Sequence, residues 1–216
     1  MNILSNMTGN IYLVGGGEIA QGETAPIDAD VKKNTLNKST LVFFGSAAED
    51  ALGYIETIER VYGDHFSIIV ATKEKGVDFA RKSIESSSAI YLGGGVTEKL
   101  LCLFDEWALV EDIKHAAASG KIIVGMSAGA QALTEWYIHE DGENMEIRSG
   151  WGIVPVCCLV HATEDSLEKA IAIHKNHSVA SGRPLIGISE GVAMLYSAND
   201  PNKRPQQIGE GKIWVK

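Results

Sequence analysis

The chain has 216 residues, 45% of them hydrophobic and 22% charged, enough for one soluble domain (1–216) with a substantial core. Its net charge of −9 comes without a basic run, which argues against nucleic acid or an anionic membrane as partner. No apolar run nears the ~20 residues of a membrane helix, and Cys102, Cys157 and Cys158 lack disulfide or zinc spacing, so a cytoplasmic protein with reduced thiols is expected.

In chain order, strand-like and helix-like segments alternate. Asn10–Val14 reads as a strand ending in Gly15-Gly16-Gly17, and Leu41–Phe44 as a second ending in Gly45-Ser46. Leu52, Ile55, Ile58 and Tyr62 recur at helical spacing within Ala51–Tyr62. Ser67–Val70 is a third strand, followed by a short helix from Val77 to Ile84. Ala89–Leu92 stops at Gly93-Gly94-Gly95 and leads into helical patterns around Leu100–Phe104 and Trp107–Ala118. Ile122–Val124 is the fifth strand. Such continuously apolar strands suit a parallel sheet covered on both faces, so a doubly wound α/β fold is expected, with ligands beyond the strands' carboxyl ends. Ile138 to Ser149 reads as an acidic loop. Asp165 and Glu168 have the spacing of a capping pair for a helix ending near Gly182. Leu185–Ile188, Val192–Tyr196 and Ile213–Val215 read as short strands at the sheet edge or in an antiparallel appendage.

The strongest chemical signal follows the fifth strand. Gly125-Met126-Ser127-Ala128-Gly129 matches Gly-x-Ser-x-Gly, a sharp strand-to-helix turn that lifts a serine hydroxyl out of the sheet. Its small neighbours let strand and helix pass closely, and the helix start aims N–H groups at developing negative charge. An ordinary turn with a capping serine fits the same five residues. A nucleophilic serine needs a histidine base. Of the six histidines, His161 follows the apolar run Val156–Val160, where a base belongs, whereas His174 shares a face with Leu167 and Ile171 and suits the core. Glu140, Asp141 and Glu143 lie between Ser127 and His161 as candidates to orient the imidazole; a solvated acidic loop is the plainer reading of each. The Gly93–Gly95 turn suits an oxyanion site, its N–H groups joining that of Ala128. Gly15 to Ala20 also satisfies the dinucleotide fingerprint G-x-G-x-x-A, yet no acidic residue ends the next strand to hold a ribose.

Taken together, Gly15–Glu18, Tyr91–Gly95, the Gly125–Ala130 elbow and Gly150, Gly152, Ile153 and Pro155 before His161 resemble the dipeptidase E/cyanophycinase family of serine peptidases from about Asn10 to Tyr196. The resemblance implies a flavodoxin-like, glutamine-amidotransferase-like fold, no cofactor and no metal. It implies Ser127 as nucleophile, His161 as base, Gly94 and Ala128 as oxyanion donors, and an acid in the loop after the elbow helix, Glu143 first and Asp141 next. Gly17, Glu18, Gly95 and Arg148 are expected at the substrate, a small peptide; a homodimer is compatible with the chain. Ala162 stands where the family usually has an aromatic residue. An aspartyl dipeptidase would read its substrate's carboxylate with an arginine, Arg148 or Arg183. A cyanophycinase-like β-aspartyl peptidase, an esterase and a non-catalytic binding protein are the alternatives.

Overall fold

The computed structural model describes residues 9–142, 144–197 and 205–216. Five strands, β1 (Asn10–Val14), β2 (Ser39–Phe44), β3 (Phe66–Val70), β4 (Ala89–Leu92) and β5 (Ile122–Met126), form the parallel part of a seven-stranded sheet. With β10 (Val192–Ser197) and β11 (Gln206–Gly209) the order is β11-β10-β1-β5-β4-β2-β3, and β10 and β11 run antiparallel at one edge.

Alternate residues of each parallel strand feed two different cores, which is why the strands are apolar throughout. Leu13, Val42, Phe44, Ile90, Leu92 and Ile123 face one layer of helices, α3 (Val77–Ser86), α4 (Thr97–Glu106), α5 (Val110–Ala118) and the short α6 (Ala128–Leu133). Tyr12, Val14, Leu41, Phe43, Tyr91 and Val124 face the other, α1 (Ala25–Lys33) and α2 (Leu52–Tyr62). This is the doubly wound, flavodoxin-like fold.

Four local expectations are corrected. The acidic stretch is no loop: β6 (Thr134–Asp141) and β7 (Asn144–Ser149) form a hairpin with register from Trp136↔Ser149 to Asp141↔Asn144. Charged residues on its open face hide an apolar inner face, Ile138, Met145 and Ile147, packed against α7 (Glu164–Asn176). A second sheet, β12-β9-β8-β6-β7, uses β8 (Val154–Leu159), β9 (Leu185–Ile188) and β12 (Ile213–Val215), so the C-terminal strands serve both sheets. Helix α7 is capped by Thr163 and Ser166, whose side chains and backbone N–H groups bond reciprocally. It ends at Asn176, and only a 3₁₀ turn, Ala180–Gly182, follows.

Parallel pairing matters most for function. β8 pairs in parallel with β9, from Cys157↔Leu185 to Leu159↔Gly187, so residues leaving the two strands emerge side by side. The turns after β1, β4 and β5 emerge likewise from the larger sheet.

Candidate active site

Ser127 leaves β5 with φ 48° and ψ −102°, a backbone state that non-glycine residues rarely adopt. Its N–H donates to the Val14 carbonyl (2.9 Å) and its carbonyl accepts from Gln131 N–H (3.0 Å), so the turn is tied to β1 and to the first turn of α6. The small neighbours are required by contact: a Cβ on Gly125 would lie 2.6 Å from the Gly129 carbonyl oxygen, and one on Gly129 only 2.3 Å from that of Leu92.

His161 follows β8 at φ 51°, with its N–H donating to the Gly15 carbonyl (2.8 Å). Its Nε2 lies 2.7 Å from Ser127 Oγ, and its Nδ1 lies 2.5 Å from Glu190 Oε1. A carboxylate only accepts, so Nδ1 carries the proton and Nε2 is left to accept from the serine. The histidine and glutamate side chains are 46% and 55% exposed, so this hydrogen bond orients the ring and adds little stability.

The carboxylate beside the histidine is therefore Glu190, in the turn after β9, and the chain order is Ser, His, Glu. This corrects the expected loop acids. Asp141 ends β6, exposed and paired across the hairpin with Asn144; Glu140 is likewise exposed; Glu143 lies outside the described residues. The physical reason is the β8–β9 pairing, which sets the residue after β9 next to the one after β8. A signal was present: Glu190 follows the apolar Leu185–Ile188 run and precedes Gly191. The strand-end rule that singled out Ser127 and His161 reaches it too.

The first glycine turn acquires a role here. A Cβ on Gly16, at φ +147°, would sit 2.4 Å from His161 Nδ1 and Cε1 and from Glu190 Oε2. Gly16 O accepts from Gly191 N–H (3.1 Å), which fastens this turn to the one carrying Glu190. No helix starts at Ala20. A 3₁₀ turn over Ile19–Gln21 precedes α1, which begins at Ala25 with Pro26 in its first turn. The glycines make room for side chains, and the helix N-terminus that would hold a pyrophosphate is missing.

Ser127, His161 and Glu190 open onto a cleft of about 750 Å³. Gly17, Glu18, Gly94 and Gly95 line it, as the sequence suggests, and so do Glu23, Tyr54 and Thr57. Ala128 opens α6, where first-turn N–H groups lack intrahelical acceptors. Gly94 departs from expectation: its N–H donates to the Tyr54 hydroxyl at 3.0 Å. Arg148 is absent from the cleft lining, held on β7 by Glu98 and Glu146, and Arg183 pairs with Glu135 (2.7 Å). Both arginines already have carboxylate partners in the protein.

Burial pushes the Cys157 thiol up to about 12 and that of Cys158 higher still, so neither supplies a thiolate nucleophile. No cluster of three or more metal-ligating side chains occurs among the described residues, and no helix among them is long and apolar enough to cross a membrane.

A serine on a strained strand-to-helix turn, at the carboxyl edge of a flavodoxin-like sheet, has the geometry of a nucleophile elbow. The chain belongs to peptidase family S51, the dipeptidase E family of serine peptidases, whose model matches residues 11–202. It is 26% identical over 127 residues to the uncharacterized peptidase YgaJ of Bacillus subtilis (strain 168), a match spanning 56% of this chain and 54%, about half, of that protein. Two crystal structures share the fold. A peptidase from an acI-B1 Actinobacterium superposes with a TM-score of 0.66 at 22% identity, covering 97% of this chain and 91% of its own. A candidate peptidase E protein of Listeria monocytogenes EGD-e superposes with a TM-score of 0.68 at 16% identity, covering 94% and 99%.

Proposed function

We propose that this peptidase hydrolyses small peptides through an acyl-enzyme on Ser127, with His161 as proton shuttle and Glu190 orienting the imidazole. The observation carrying the reading is the continuous relay from Ser127 Oγ to His161 Nε2 and from His161 Nδ1 to Glu190 Oε1. As Ser127 Oγ attacks the carbonyl carbon, its proton passes to Nε2, and the imidazolium that forms faces the Glu190 carboxylate. The tetrahedral oxyanion collapses, the C–N bond breaks, and Nε2 returns the proton to the departing amine. Water then attacks the ester by the same route and frees Ser127. The cleft suits a ligand of a few residues.

The lining charge supports a substrate preference. Glu18 and Glu23 face the cleft with Glu190, and among the described residues no lysine or arginine does. Glu23 is held in place by the backbone N–H of Glu18 at 2.8 Å. An aspartyl side chain would meet carboxylates there, so we propose peptides with a neutral or cationic residue before the scissile bond in place of aspartyl dipeptides.

Labelling with a fluorophosphonate followed by peptide mapping tests the nucleophile, and a dipeptide library tests the preference. The modification is expected on Ser127 alone. An unlabelled, folded protein would favour a binding role on the same scaffold.

A further inference from the structure

The relay supplies a nucleophile and a base but not the full set of donors for the oxyanion, and the N–H of Gly94 is already engaged. Tyr54, on α2, takes that bond: its hydroxyl oxygen accepts from Gly94 N–H at 3.0 Å. The ring is fixed, edge-on to Phe43 at a centroid distance of 5.1 Å and so close over Gly93 that a Cβ there would lie 3.0 Å from Tyr54 Cε1. The oxygen thus accepts the Gly94 proton, while the Tyr54 O–H has no acceptor among the hydrogen bonds of the described residues. Tyr54 lines the cleft with Ser127 and His161, and a Cβ on Gly94 would lie 3.5 Å from Ser127 Cβ.

Resting on the serine-peptidase reading above, we infer that Tyr54 is a catalytic residue, its hydroxyl donating to the oxyanion with the Ala128 N–H as partner. A phenol whose oxygen accepts a hydrogen bond is a polarised, stronger donor, and the cleft that Tyr54 lines is open to its proton. Gly94 then acts through Tyr54. Burial, opposed by the Gly94 bond, pushes the phenol up to about 12, so it keeps its proton throughout the neutral range.

The test is phosphonylation of Ser127 by a fluorophosphonate, whose P=O oxygen takes the oxyanion position, with the limiting rate and the apparent affinity measured separately. Tyr54→Phe is expected to lower the limiting rate about 10²-fold with affinity within about twofold, as for the loss of one oxyanion donor. Placing 3,5-difluorotyrosine at position 54 makes the phenol a better donor and a poorer acceptor, so the rate is expected to equal or exceed the parent's. A fluorinated variant slower than the parent would show that Tyr54 serves only to anchor Gly94, overturning the inference. So would a Tyr54→Phe rate within threefold of a parent labelled normally at Ser127, and there the serine reading stands. A parent that is not labelled at all overturns both.

Discussion

The glycine turn after the first strand offers the sharpest perturbation. Replacing Gly16 by alanine adds one methyl group at a position 2.4 Å from His161 Nδ1 and Cε1 and from Glu190 Oε2. Comfortable separation is ~3.5 Å, so one side must yield by about 1 Å. The relay distances are 2.7 and 2.5 Å, and a displacement of that size takes either bond outside hydrogen-bonding range. A misplacement of about 1 Å costs on the order of 10²-fold in rate, and full loss of the imidazole's carboxylate about 10⁴-fold, so Gly16→Ala is expected to fall between these. The backbone adds its own term: alanine at φ +147° costs ~1–3 kcal/mol. At roughly 2–4 °C per kcal/mol for a chain of this size, the melting temperature drops by about 2–12 °C. Gly22→Ala is the control, since Gly22 also has positive φ (+83°) but a Cβ there meets nothing within 4 Å. It is expected to lose stability and keep activity. The assay is the Ser127 phosphonylation rate beside a thermal melt for both variants. A Gly16→Ala protein that melts lower yet reacts within threefold of the parent would refute the reasoning, because the relay would then tolerate the methyl group.

Ser127→Ala is expected to keep the melting temperature within a few degrees and to remove peptide turnover by several orders of magnitude, measured on the best dipeptide of the library. Glu190→Gln is expected to cost about 10²–10⁴-fold in kcat/KM, whereas Asp141→Asn, at the exposed end of β6, changes it by less than twofold; the opposite ranking would return the acid to the hairpin. For substrate charge, an exposed carboxylate about 4 Å from a cationic group contributes about 1 kcal/mol in water. Glu23→Gln is accordingly expected to narrow the kcat/KM advantage of a lysyl over an uncharged dipeptide about fivefold at low salt. An unchanged ratio would remove Glu23 from recognition.

The order of strands and helices in the parallel half was legible because it depends on local pattern. An apolar run such as Ile122–Val124 followed by small residues extends, turns and packs in one way, whatever lies elsewhere in the chain. The placement of Ser127 and His161 at strand ends follows from the same rule. The β6–β7 hairpin was hidden because its exposed face carries acids, and only packing against α7 reveals which side is apolar. Pairing was not legible at all: nothing near His161 says that β9 lies beside β8, and that contact selects Glu190 over the acids nearer in sequence. Gly16 and Tyr54 have the same origin. Neighbours in space set a glycine's need for room and a tyrosine's partner, and those neighbours arrive from distant segments when the sheets close. Local chemistry thus singled out Ser127 and His161, and tertiary pairing supplied the carboxylate beside them.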